Sequence, residues 1–369
     1  MNHAPLKFNI FVGGRIAEAR KAAGMTQEQL ASKLGFKDRQ ILSNIEKGIR
    51  QVTPEELVKL AELLNQSLDF FTDPYLLTKD AECFAWRVKP EYDGRNEYEE
   101  QGKNLISAHL RFSDLLNKTR DPLLQQLPLD KKATYEEATA WGERLAEYWN
   151  MGKTPSTKLQ QVIKKEMNGE LFFIDAPDEV SGASFRNEQL AAILINRNHP
   201  VGWQHFSMAH ELFHILTWTI FHPKHKAADK LIDGERDRSE KLANSFAAGL
   251  LMPTPAVEKL WKHKGDSDLK SWLETTGDVL QVSPDALFWR LYTLRRVKKE
   301  DMPAGLHLRY RAKQEERPRL YSENFVQMAR EVIAQGRVSV RKVARLLSCT
   351  YEDLEDLFRS YLLPAPFAL

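Results

Sequence analysis

Residues 209–216 read AHELFHIL. Two histidines stand four apart, and a glutamate follows the first. On an α-helix, positions i and i+4 lie about 40° apart in rotation and about 6 Å apart along the axis. His210 and His214 therefore project from one face and can share one metal ion. Glu211 sits beside the first of them, where its carboxylate can act as a general base on water. That is the physical content of the H-E-x-x-H pattern. Phe206, Met208, Ala209, Leu212, Phe213, Ile215 and Leu216 place apolar groups on every face, so the helix is predicted to be buried. A buried glutamate with no partner costs several kcal/mol or stays protonated. A divalent cation supplies a partner; two histidines meeting by chance on a core helix is the alternative.

A hydrolytic zinc site takes three protein ligands and keeps a fourth position open. The stretch SEKLANSFAAGLLMP, residues 239–253, offers the third. Glu240, Ala243, Asn244, Ala247 and Leu251 form one helical stripe. The small Ala243, Ala247 and Ala248 would let this helix approach the histidine helix closely. Asn244, one turn after Glu240, is placed to orient a ligating histidine from outside. Asp233, Glu235 and Asp237 compete with Glu240, and an acid near a helix start is favoured by the helix dipole in any case. His199, His205, His222 and His225 lie nearby with no spacing that selects them as ligands.

The rest of the chain sets the frame. Its 369 residues suggest two or three domains. Lys plus Arg is 53 against 51 for Asp plus Glu, so a nucleic-acid contact would have to come from a local patch. Cys83 and Cys349 make no metal-ligand spacing and no disulfide framework, which fits a reducing compartment. The N-terminus lacks a signal-peptide pattern, and no window has the apolar length of a membrane helix. The expectation is a soluble cytoplasmic protein with no membrane partner.

Start signals mark the helices. Thr26 with Gln29, Thr53 with Pro54 and Glu56, and Thr134 with Glu137 are capping boxes. Residues 72–129 read as a linker plus one helix near 105–116. The apolar runs LFFI (171–174) and LAAILI (190–195) read as strands, with Gly182 and Asn187 in turns between them. If 190–195 has a free edge, an extended peptide could pair with it; a fully paired core strand is equally open. Helices are predicted at 236–251, 255–263, 267–276 and 283–294. The tail 322–363 is helical again, either a second helix-turn-helix or a layer on the preceding domain.

FSMAHELFHIL followed by EKLANSFAAGLLMP resembles the ImmA/IrrE family of metallopeptidases over about residues 130–290. The resemblance implies a zincin-like fold, zinc bound by His210, His214 and Glu240, and Glu211 as the residue that activates water. Phe213 stands where members of that family often carry glycine.

RIAEARKAAGMTQEQLASKLGFKDRQILSNIEKGIRQVTPEELVKLAELL resembles the XRE-type (lambda-repressor-like) helix-turn-helix family over about residues 14–72. It implies a five-helix domain whose recognition helix spans about 38–47. From Arg15 to Arg50 the bases Arg15, Arg20, Lys21, Lys33, Lys37, Arg39, Lys47 and Arg50 outnumber the acids Glu18, Glu28, Asp38 and Glu46, a local excess suited to phosphates. Arg39, Gln40, Ser43 and Asn44 are the candidates for base edges. Gln27, Lys47 and Arg50 are the candidates for the DNA backbone, and Lys37 is a further candidate DNA contact.

The fold expectation is mainly α with a small β-sheet (α+β). It comprises a helix-turn-helix domain at 8–75, a linker and helical connector at 76–130, a metallopeptidase domain at 131–295 and a linker with helical tail at 296–369. The functional expectation from the two resemblances is a transcriptional regulator that binds a double-stranded DNA operator, as a homodimer. It would cut itself or a partner repressor with zinc on a signal. The alternative is a non-proteolytic regulator or antitoxin-like protein whose metal domain is structural or sensory; a base such as Glu211 has no role in a closed structural site.

Overall fold

Thr26, Thr53 and Thr134 each close a reciprocal capping box: the threonine hydroxyl accepts from the third helical N–H, and that residue's side chain accepts from the threonine N–H. These devices mark helix starts through local contacts alone. In the computed structural model the described residues are 4–75, 84–88, 95–118, 122, 126–221, 233–306 and 317–368. They divide into two units, Met1–Thr78 and Lys79–Leu369.

The first unit holds five helices: α1 (Ala4–Ala22), α2 (Gln27–Leu34), α3 (Arg39–Glu46), α4 (Pro54–Leu64) and α5 (Leu68–Thr72). Val12, Ile16, Leu30, Leu42, Ile45, Leu60, Leu64 and Phe71 form its buried centre. Helix α3 is one residue shorter at each end than the sequence suggests, because Asp38 caps it: its carboxylate accepts from Gln40 N at 2.8 Å.

The second unit contains β1 (Phe84–Val88), α6 (Arg95–Leu115), α7 (Tyr135–Tyr148), α8 (Leu159–Lys165), β2 (Glu170–Ile174), β3 (Val180–Arg186), β4 (Ala191–Asn196), α9 (Val201–Leu216) and α10 (Asp233–Leu251). Helices α11 (Thr254–Lys262), α12 (Leu269–Leu280), α13 (Pro284–Thr293), α14 (Glu323–Ala334), α15 (Val340–Leu346) and α16 (Tyr351–Ser360) follow. The four strands form one sheet in the order β1-β3-β4-β2, with β2 parallel to β4 and the other pairs antiparallel. The protein is mainly α with a small mixed sheet, as expected.

Two local expectations change, and one alternative left open is decided. Gly182 lies inside strand β3, not in a turn. A Cβ there would come within 2.5 Å of the Leu194 carbonyl of β4, so the small residues of VSGASFR permit close strand approach rather than a reversal. Asn187 does make the turn, its side chain accepting from Gln189 N at 2.9 Å and Leu190 N at 2.7 Å. Strand β4 is paired on both sides and offers no free edge. The stretch read as linker plus helix also supplies β1, and α6 starts inside its polar part.

The tail layers onto the sheet side of this unit. Helices α14 and α15 pack on α6, the Phe325 ring lies 5.2 Å from that of Phe172 in β2, and Phe173 N donates to Leu320 O at 2.7 Å. Helices α7 and α10 cross so closely that a Cβ on Gly249 would sit 2.2 Å from the Thr139 carbonyl. Among the described residues no helix is long and apolar enough to cross a membrane.

Candidate metal centre and nucleic-acid interface

Every residue of α9 from Ser207 to Leu216 is buried, as the all-round apolar pattern requires. Helix α10 packs across it and brings Glu240 to the histidine pair. His210 Nε2 lies 3.1 Å from His214 Nε2 and 3.1 Å from Glu240 Oε2, and His214 Nε2 lies 3.6 Å from Glu240 Oε1. Tetrahedral zinc with bonds of about 2.0–2.1 Å separates its ligands by roughly 3.3 Å. The three side chains thus stand at the spacing of ligands that share one ion. Among the described residues they are the group of His, Cys, Asp and Glu whose ligand atoms converge in this way, all within 4.8 Å of one another. Of the acids weighed against Glu240, the side chains of Asp233, Glu235 and Asp237 lie outside the described residues.

The surroundings hold the donors in the ligating form. His210 Nδ1–H donates to Asn244 Oδ1 at 2.9 Å, which leaves the Nε2 lone pair facing His214 and Glu240. Burial, reinforced by the positive charge of Arg87, pushes the His210 pKa down against the pull of Glu240 and Asn244. That direction favours the neutral imidazole, the form that ligates a metal. Burial opposes ionisation of Glu240, but its close contact with His210 and His214 and the positive charge of Arg87 outweigh it and hold its carboxyl at about 2.

Glu211 is fully buried, and neither carboxylate oxygen finds a hydrogen-bond partner; the Ser184 hydroxyl on β3 is unpaired as well. Burial, then the negative charge of Glu240, push the Glu211 pKa up to about 8; the nearby Ser184 hydroxyl, too poorly aligned for a hydrogen bond of normal geometry, and the charge of Arg87 oppose this only weakly. An orphaned buried carboxylate next to three converging ligands fits a site built around a cation, which would favour its ionised form. The Phe213 ring packs in the core 5.5 Å from that of Phe246 and 6.2 Å from that of Phe221, and it lies edge-on to the His214 ring at 5.9 Å.

The other histidines have different partners. His205 Nδ1 donates to Gln281 O at 2.9 Å, and burial lowers its pKa. The His199 ring packs edge-on against Trp203. His222, His225 and Cys83 lie outside the described residues. Arg87 and Ser184 are the members of the site that sequence reading missed. The run FAWRV was the available signal for β1, a short aromatic and β-branched stretch set among polar residues.

In the first unit, Arg39 and Gln40 are exposed at the start of α3, and Asn44 is half-buried one turn on. Gln40 Nε2 donates to Asn44 Oδ1 at 3.0 Å, so these two act as a linked amide pair. Lys37 and Lys47 are exposed. Ser43, expected at the base edges, is buried with 7% exposure; it lies on the core side of α3. Gln27 Nε2 donates to Glu46 Oε2 at 2.7 Å, beside the Arg20–Glu46 pair. Arg50 is committed to Glu56 through two hydrogen bonds of 2.9 and 2.8 Å and lies over the Phe36 ring. Its first role is to tie the segment after α3 to α4.

Comparison with known proteins meets this geometry at two places. Residues 16–71 match the family model described as Helix-turn-helix, and residues 165–292 match that of the IrrE N-terminal-like domain. The chain is 29% identical over 164 residues to the HTH-type transcriptional regulator ImmR of Bacillus subtilis (strain 168), covering 44% of this chain and 94% of that protein. Among solved structures, Bacillus thuringiensis PlcR in complex with the peptide PapR7 and DNA aligns over 96% of this chain and 93% of its own, at 11% identity and a TM-score of 0.17. Apo ComR from S. thermophilus aligns over 95% and 94%, at 13% identity and a TM-score of 0.17. Superpositions at such scores establish no shared fold.

Proposed function

From a chain that joins an XRE-type helix-turn-helix domain to an ImmA/IrrE-like domain, we propose a DNA-binding transcriptional regulator that is also a zinc-dependent endopeptidase. It binds a double-stranded operator as a homodimer and cuts itself or a partner repressor in response to a signal. The observation that carries the peptidase half is the Glu211 carboxylate, buried and without a hydrogen bond beside His210, His214 and Glu240. A site that only held a metal would have no use for that group.

Zinc held by His210, His214 and Glu240 would supply Lewis acidity to the carbonyl under attack. Glu211 takes the proton from the attacking water and returns it to the leaving amine. Asn244 keeps His210 in the tautomer that ligates. The packed walls of α9 and α10 exclude bulk water from the carboxylate, which sustains its high proton affinity. In the first unit, Arg39 and the Gln40–Asn44 pair read base edges, and Lys37 and Lys47 meet phosphates.

The test compares intact masses of the wild-type chain and Glu211→Gln, each co-expressed with the protein encoded next to it, before and after a stress challenge. Fragments that vanish in Glu211→Gln at equal zinc content support the reading and identify the substrate. Zinc in both proteins with no fragments under any challenge favours a regulator whose metal is structural or sensory.

A further inference from the structure

Strand β1 lies outside the region matched to the IrrE-like domain, yet it completes the sheet beside the candidate metal centre. Residues opposite one another on antiparallel strands point to the same face. Arg87 is opposite Gly182, and Ala85 is opposite Ser184. Two residues on from Ser184, Arg186 sends its Nη1 to the Ile215 carbonyl of α9 at 2.7 Å. The Gly182, Ser184 and Arg186 side of β3 is therefore the side that faces the histidine helix, and Arg87 shares it. Gly182 has no side chain to block the guanidinium. The register sets Arg87 one same-face position along from Ser184, on the side of the sheet turned to α9.

A peptidase site needs a donor for the negative charge that builds on the carbonyl oxygen. His222 and His225, the candidates near the motif in sequence, carry no spacing that selects them. We propose that Arg87, delivered by the connector strand β1, is a catalytic residue that donates hydrogen bonds to the carbonyl oxygen of the peptide bond being cut. This rests on the peptidase reading above. Water adds to the carbonyl carbon, Glu211 accepts its proton, and the oxygen that becomes negative is held by the Arg87 guanidinium. The oxygen's electron pair then re-forms the carbonyl as the C–N bond breaks, Glu211 passes its proton to the departing nitrogen and is again an ionised carboxylate, and the product acid gives up its own proton to the freed amine, leaving carboxylate and ammonium. Arg87 gains and loses no proton. A peptidase domain that began after β1 would carry the ligands and the base without this donor.

The test uses the full-length zinc-loaded protein as wild type, Arg87→Ala and Arg87→Lys, with equal melting temperatures as the check on folding. The probe is a phosphinic pseudopeptide, whose tetrahedral phosphinate bears the charge of the transition state, titrated calorimetrically beside the same peptide with a plain amide. Arg87→Ala is expected to weaken phosphinate binding at least about tenfold and amide binding little, with Arg87→Lys in between. Equal phosphinate affinity in all three proteins would overturn the role. Zinc affinity by chelator competition gives a second readout: removing a cation near a dication tightens zinc in Arg87→Ala severalfold and leaves Arg87→Lys near wild type. Unchanged zinc affinity in Arg87→Ala would show that the guanidinium does not face the centre. A wild type that holds zinc but never binds the phosphinate overturns the peptidase reading itself.

Discussion

Asn244 holds His210 from behind: its Oδ1 accepts the Nδ1–H at 2.9 Å, and the opposite ring nitrogen is left to face His214 and Glu240. Removing this acceptor frees the ring to rotate and to change tautomer. Asn244→Ala is expected to lower zinc affinity about 10–100-fold, measured by competition with a chromogenic chelator. Asn244→Asp, which keeps the acceptor, should retain most of it. An unchanged affinity in Asn244→Ala would remove the orienting role.

Glu211 gives the metal-free protein a pH signature. Its folded pKa of about 8 lies above the ordinary value of 4.5. Between these values the folded state binds the proton and the unfolded chain does not, so stability from this group is full below about pH 4.5 and is lost as pH rises through about 8. Urea titrations of the metal-free wild type should therefore show stability falling relative to Glu211→Gln across that window. Parallel pH profiles would mean that the carboxylate is not held protonated. With zinc present the difference should shrink, because the cation favours the ionised form.

Arg290 of α13 ties α7 to the junction between α10 and α11. Its side chain, 3% exposed, pairs with Glu143, donates Nε–H to the Met252 carbonyl at 2.9 Å and reaches Thr254 Oγ1 at 2.9 Å. Arg290→Ala leaves the buried Met252 carbonyl unpaired and removes the cation from the half-buried Glu143, which keeps its bonds from Thr254, and is expected to cost about 1–3 kcal/mol. Chemical denaturation would show the loss, and Glu143→Gln with Arg290 intact should cost less.

The basic residues of the first unit separate by role. Lys47→Ala should weaken DNA binding evenly across sequences and reduce the salt slope by about one. Arg39→Ala should cost about 1–3 kcal/mol at one base position and relax the preference there. Arg50→Ala should act through stability, because its partner is Glu56. Fluorescence anisotropy on a duplex selected from a random pool, read at several salt concentrations, distinguishes the three. A salt-slope loss in Arg50→Ala without loss of melting temperature would return that residue to the phosphate contacts.

Much of this protein is written in local sequence. Histidines four apart must share a helix face, and threonine three residues before glutamine or glutamate must cap a helix, so α2, α4, α7 and the face of α9 follow from spacing alone. Apolar residues on every side of residues 206–216 already required burial. The sheet was only half legible. LFFI and LAAILI carry their own hydrophobic signal, whereas FAWRV and VSGASFR become strands by pairing with one another and with β4, and no window of sequence contains that partner. The same limit governs the site. Spacing nominated Glu240, but the crossing of α9 and α10 brings it within 3.1 Å of His210. Spacing marked Ser43 and Arg50 as DNA contacts, whereas packing buries the first and Glu56 engages the second. The missing hydrogen bonds of Glu211 and the position of Arg87 were decided only in three dimensions, because each depends on what distant segments bring, or fail to bring, to one buried place.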